Sequence, residues 1–121
     1  MTPKISEHFR ESECRCNCGC GTMVINKCHL ALLEEMRTLA GIPIAPSSWT
    51  RCEKHNAKVG GTNTSSHLRG LATDIVAISS PGRYTLLSAA LRAGFRRIGI
   101  GKNFIHVDSD STKPRNVVWV Y

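Results

Sequence analysis

Three side chains of metal-ligating type, His67, Asp74 and His106, fall in two short stretches of this 121-residue chain. A catalytic zinc takes three protein ligands from His, Asp or Glu and keeps a fourth position for water or substrate. His67 closes a segment rich in Gly, Thr, Asn and Ser, and Asp74 lies in the strand-like stretch that follows. The seven-residue step from one to the other suffices to bring both side chains to one ion if the chain turns at Gly70. His106 sits in a separate strand-like stretch. Asp108, two residues on, shares its face, with the two backbones only about 6–7 Å apart. Its carboxylate is therefore within range of a water on the metal, or of His106 itself. A plainer reading uses the same residues: His106 as a hydrogen-bonded core histidine and Asp74 as a turn cap. The spacing alone leaves both readings open.

The elements that must position these residues follow from pattern. Leu30, Leu33, Met36 and Ala40 recur at three- and four-residue steps, which predicts a helix from about Asn26 to Ala40, stopped by Gly41 and Pro43. Ile42 to Thr50 reads as extended, broken by Pro43 and Pro46. Glu53 to Val59 reads as a short helix ended by Gly60-Gly61, and residues 60–70 as a loop. Leu71 to Ile78 alternates as a strand with Ala72, Asp74, Val76 and Ile78 on one face. Ser79 or Ser80 caps a second long helix, with Pro81 in its first turn, running to Ala93 and Gly94. Arg97–Ile100, Phe104–Asp108 and Val117–Tyr121 read as three short strands. Residues 1–25 form an irregular lead-in. This order predicts an α+β fold in a single domain, residues 1–121, with two main helices and a small, mainly antiparallel sheet.

Composition narrows the function classes. Apolar residues make up 41% and charged residues 21%, ordinary globular usage that argues against disorder. No apolar run approaches the ~18 residues of a membrane span. The N-terminal MTPKISEHFRESE has no signal-peptide pattern, so the expectation is synthesis in the cytoplasm and, for work elsewhere, exit by another route. A net charge of +7 favours anionic partners, among them nucleic acid, anionic lipid and anionic wall polymer. Aromatic residues, at 6%, are thin for base stacking, which argues against nucleic acid. The six cysteines are many for so short a chain. Cys14, Cys16, Cys18 and Cys20 alternate, a spacing unlike the usual C-x2-C zinc pattern, while Cys28 and Cys52 stand apart. Disulfides formed after export and free or metal-bound thiols remain equally open.

Several ordered motifs carry a resemblance. Ser65, His67, Gly70, Ala72 and Asp74 match S-x-H-x-x-G-x-A-x-D. Arg51-Cys52-Glu53-Lys54-His55-Asn56 with Gly60-Gly61 resembles R-C-x-x-H-N…G-G, and Ile98-Gly99-Ile100-Gly101 with Phe104-Ile105-His106-Val107-Asp108 resembles a closing G-I-G…F-x-H-x-D. Cys18-Gly19-Cys20-Gly21 resembles the lead-in of phage-type members. Together they cover nearly the whole chain in order. They are similar to the zinc D-alanyl-D-alanine carboxypeptidases and L-alanyl-D-glutamate endopeptidases of bacteria and phages. That group belongs to a wider set with the lysostaphin-type peptidases and hedgehog signalling domains.

The resemblance implies a hedgehog-like zinc peptidase fold, with His67, Asp74 and His106 as ligands of Zn2+. It implies that Ser65 bonds substrate or orients a ligand, and that Arg51 binds a substrate carboxylate or polarises the scissile carbonyl. Where several relatives carry an acidic base three positions before the last histidine, this chain has Asn103. Where others carry a histidine, it has Phe104 or Gly101. Asp108 is the remaining acidic neighbour and is taken as the general base, with orientation of His106 or Arg51 as its alternative role. Arg69 lies outside the pattern and reads as a solvated side chain. His55 reads as structural, and His8 and His29 as without a catalytic role.

The implied substrate is the stem peptide of peptidoglycan. The implied setting is that of an endolysin: a monomer without membrane insertion, released through a holin to act in the periplasm and wall. L-alanyl-D-glutamate endopeptidase activity is expected ahead of D-alanyl-D-alanine carboxypeptidase activity. Two rival readings are a non-catalytic zinc-containing binding domain and a basic nucleic-acid binder using Cys16 and Cys18 as a zinc knuckle.

Overall fold

The structure is a computed structural model and describes residues 2–121. Its two long helices begin and end at residues chosen for the purpose. Helix α2, Lys27–Ala40, follows a four-residue helix α1, Glu11–Cys14, inside the lead-in. The Asn26 side chain caps α2 by accepting from the His29 N–H at 2.9 Å, and Gly41 ends it in the left-handed region at φ 68°. Helix α4, Ser80–Ala93, is capped by Ser79, whose Oγ accepts from the Gly82 N–H at 3.1 Å, and stops at Gly94. Between them lie strand β1, Pro46–Ser48, helix α3, Glu53–Lys58, a 3-10 turn over Ser66–Arg69, and strand β2, Ala72–Val76. Strands β3, Arg97–Ile100, β4, Phe104–Asp108, and β5, Val117–Val120, close the chain.

The five strands form one sheet in the order β1-β2-β4-β3-β5. Neighbours are antiparallel except β3 and β5, which are parallel. The mainly antiparallel expectation therefore holds, and the parallel pair has a simple cause. The end of β4 lies beside the start of β3, since Asp108 pairs with Arg97. A short loop from Asp108 passes that corner and delivers Val117 opposite Arg97, so β5 must run with β3.

The two-residue period of a strand divides the sheet into two faces. Ile75, Ile98, Ile105 and Val107 point to one face and are fully buried in a core with Leu30, Leu33 and Met36 of α2 and Leu86, Ala89 and Ala90 of α4. Phe9 and Trp49 extend this core under the lead-in, edge to face with ring centroids 5.8 Å apart. The residues of opposite parity, Asp74, His106, Asp108 and Trp119, point to the other face.

Candidate metal centre

The register alone brings two of the chemical residues together. Asp74 and His106 are directly paired across β2 and β4, where opposed side chains start within about 5 Å of each other. His67 arrives from the 3-10 turn. Ser65 Oγ accepts from the His67 N–H at 3.3 Å and so caps that turn, and Gly70 ends it at φ 68°. A Cβ on Gly70 would collide with the Val24 carbonyl oxygen, so both the backbone sign and the close approach require glycine.

Each histidine has one ring nitrogen tied away from the centre. His67 Nδ1 donates to the Trp49 carbonyl oxygen at 2.7 Å, which leaves Nε2 at 3.4 Å from Asp74 Oδ1. His106 Nε2 meets Asp108 Oδ2 at 3.0 Å, and its Nδ1 lies 2.9 Å from the same Asp74 oxygen. A tetrahedral ion with bonds of ~2.0–2.1 Å separates its ligand atoms by about 3.3 Å. Both histidine nitrogens lie near that spacing from Asp74 Oδ1, at 2.9 and 3.4 Å, and all three donors are within 4.8 Å of one another. The donor set, two imidazoles and a carboxylate with the second nitrogens already satisfied, is the chemistry zinc accepts.

The electrostatics point the same way. Burial opposes ionisation of Asp74, but hydrogen bonds and charge from His106 and His67 outweigh it and hold the carboxyl well below its ordinary range. Burial likewise disfavours a charged His106, yet the Asp108 and Asp74 carboxylates outweigh it and raise its proton affinity. The two shifts are two sides of one network, in which the carboxylates favour the imidazolium and the imidazoles favour the carboxylate.

Around the donors lies a cleft of about 490 Å³, the size range of small-ligand sites. Arg51 lines it with Nη2 3.2 Å from Asp74 Oδ2, while its Nε donates to Ser48 Oγ and its Nη1 to Asn56 Oδ1. Ser65 lines it as well. Asp108 also borders the cleft but is only 2% exposed, and both its oxygens are engaged. Oδ2 faces His106, and Oδ1 accepts from the Asp110 N–H at 2.8 Å beside Arg97 Nε at 3.4 Å. It thus holds the ring nitrogen of His106 opposite the one that faces Asp74.

Sequence reasoning did not find several supports of the site. The Trp49 carbonyl fixes the His67 ring. Asp110, 1% exposed, accepts from Ser66 Oγ at 2.8 Å and pairs with Arg69, which is therefore engaged rather than merely solvated. Trp119 packs against His106 with its ring tilted by 55° and centroids 5.3 Å apart. It reaches across β3 because Gly99 lies between them: a Cβ there would sit 2.6 Å from Trp119 Nε1. The alternation of Asp110 with Asp108, and of Trp119 with Val117, was the available signal.

Residues 7–108 match the family model described as Peptidase M15. No curated protein matches the chain.

Proposed function

The chain belongs to the peptidase M15 family and is a zinc-dependent peptidase, a hydrolase, and from that premise we propose that it cleaves the stem peptides of peptidoglycan as an L-alanyl-D-glutamate endopeptidase. The observation that carries the reading is the convergence of His67 Nε2, Asp74 Oδ1 and His106 Nδ1 on one point of an open cleft. These three side chains would hold the ion. Zinc there supplies Lewis-acid chemistry, lowering the pKa of water toward ~7 and polarising a carbonyl.

The protein's own groups do the rest by position. Trp49 and Asp108 fix the two imidazoles in the tautomers that present a lone pair to the centre. Arg51 holds the second Asp74 oxygen and places a cation at the cleft wall, where negative charge developing on a carbonyl oxygen is stabilised. Asp108, read from sequence as the general base, is assigned here to orienting His106, because its lone pairs already serve His106 and the Asp110 N–H. Ser65 sets the turn that carries His67 and borders the substrate path.

Endopeptidase activity is put ahead of carboxypeptidase activity on the likeness of Cys18-Gly19-Cys20-Gly21 to the lead-in of phage-type members. The net charge of +7 suits association with an anionic wall, weakened by salt.

Purified protein incubated with sacculi, with and without chelator and zinc add-back, tests the proposal by product mass. Release of the peptide behind L-alanine supports it. Loss of a single alanine assigns a carboxypeptidase, and absence of cleavage by folded, zinc-loaded protein overturns the substrate assignment.

A further inference from the structure

A second group of metal-ligating side chains lies outside the cleft. Cys16, Cys18 and Cys20 of the lead-in gather against Cys52, the residue after Arg51. Their Sγ atoms are 3.4 Å apart for Cys16–Cys18, 3.8 Å for Cys16–Cys52 and 3.7 Å for Cys18–Cys52. Cys20 completes the group, with all four sulfurs within 4.8 Å of one another. Four thiolates around one zinc at ~2.3 Å stand about 3.8 Å apart along the tetrahedron's edges. None of these three separations is the ~2.05 Å of a disulfide, and all four thiols are free.

The local backbone favours the same outcome. Gly19 and Gly21 take positive φ, 84° and 85°, and curl the segment so that alternate cysteines turn to a common point. Backbone N–H groups aim at three of the sulfurs: Cys52 N–H at Cys16, His55 N–H at Cys52 and Thr22 N–H at Cys20, at 3.3–3.5 Å. Such donors stabilise thiolates, the ligand form. Cys14, of the same alternating run, is excluded, since it is buried in the core against Thr50.

We propose that Cys16, Cys18, Cys20 and Cys52 form a structural zinc site, separate from the His67–Asp74–His106 centre. Its role is a clamp. The segment it grips carries the Trp49 carbonyl that orients His67, the Thr50 N–H bonded to the Cys14 carbonyl, and Arg51, which holds Asp74. A closed four-thiolate site holds the lead-in and this segment together as a disulfide would, without needing an oxidising compartment.

The test is metal content and spectroscopy of the full chain purified under reducing conditions. The wild type is expected to hold one zinc beyond that lost in H67A, and the C18S/C20S variant to lose that extra zinc. Cobalt substitution is expected to give strong thiolate-to-metal charge-transfer absorption that survives H67A and disappears in C18S/C20S. Should the cysteine variant fail to fold, the cobalt spectrum of wild type and H67A still decides. A wild type with a single zinc, lost in H67A, and no thiolate charge-transfer band overturns the proposal. So does recovery of these cysteines as disulfides from metal-free protein that is fully folded.

Discussion

The two faces of the sheet are made by the same strands and differ by one residue in parity. Ile75, Ile105 and Val107 meet the helices, while Asp74, His106 and Asp108, their immediate neighbours in sequence, line or support the cleft. A slip of one residue in the β2–β4 register would exchange the two sets. The hydrophobic core therefore does more than stabilise: by locking register it holds Asp74 opposite His106. The contrast predicts that cleft-face substitutions remove metal and activity while sparing the fold, and that core-face substitutions do the reverse.

The largest effect belongs to the cleft. His67→Ala removes a donor whose ring is anchored on the Trp49 carbonyl, and peptidase activity should fall to background with loss of the centre's zinc, read by metal analysis beside circular dichroism. Retained turnover would break the site assignment. On the opposite face, Ile105→Ala empties a fully buried position and should cost about 2–5 kcal/mol in denaturant unfolding. Zinc affinity of the protein that remains folded should change little. If it collapses together with stability, the two faces are not separable as the parity suggests.

Asp108 probes the join between the faces. Replacing a carboxylate that orients a ligand histidine typically costs ~10–100-fold in metal affinity or activity. Asp108→Asn is therefore expected to weaken zinc binding by that factor, with activity restored in part at high zinc. A general base would give the opposite split, zinc affinity intact and kcat lost at every zinc concentration. Titration of activity against free zinc distinguishes the two.

How much of this was legible in the sequence depended on whether the signal was local. The caps at Asn26, Gly41, Ser79 and Gly94 and the strand alternation gave elements that agree with the structure within a residue or two. Those signals are short-range physics, with side chains serving nearby backbone groups. The His67, Asp74 and His106 convergence was legible through ordered motifs. What was hidden depended on distant partners. The sequence puts Asp108 on the His106 face, but only the fold shows which ring nitrogen it meets. The pairing of Arg69 with Asp110 spans the loop after β4, and the parallel β5 follows from where β4 ends. The cysteines stayed open in the sequence because the C-x-C-x-C-x-C run differs from the usual C-x2-C pattern, and the fourth sulfur of the cluster, Cys52, comes from another segment.

The smallest predicted effect sharpens the comparison through a histidine on the core side. His29 is fully buried on α2 and bridges Ser109 Oγ at 2.7 Å and Thr73 Oγ1 at 2.9 Å, Thr73 being the residue before Asp74. Burial pushes its pKa from 6.5 down to about 3, against a weaker opposing pull from Asp108. Its folded pKa lies below the unfolded value, so the unfolded chain takes the proton first as pH falls. The contribution to stability is complete above about 6.5 and is lost progressively down to about 3. Between pH 7 and pH 5 that loss amounts to about 2 kcal/mol. His29→Gln has no such proton to take up, so the pH dependence of its unfolding free energy should be shallower by that amount. Equal slopes for the two proteins would mean that His29 takes up its proton as readily in the folded core as in the unfolded chain, so that burial beneath Asp74 does not exclude the charge.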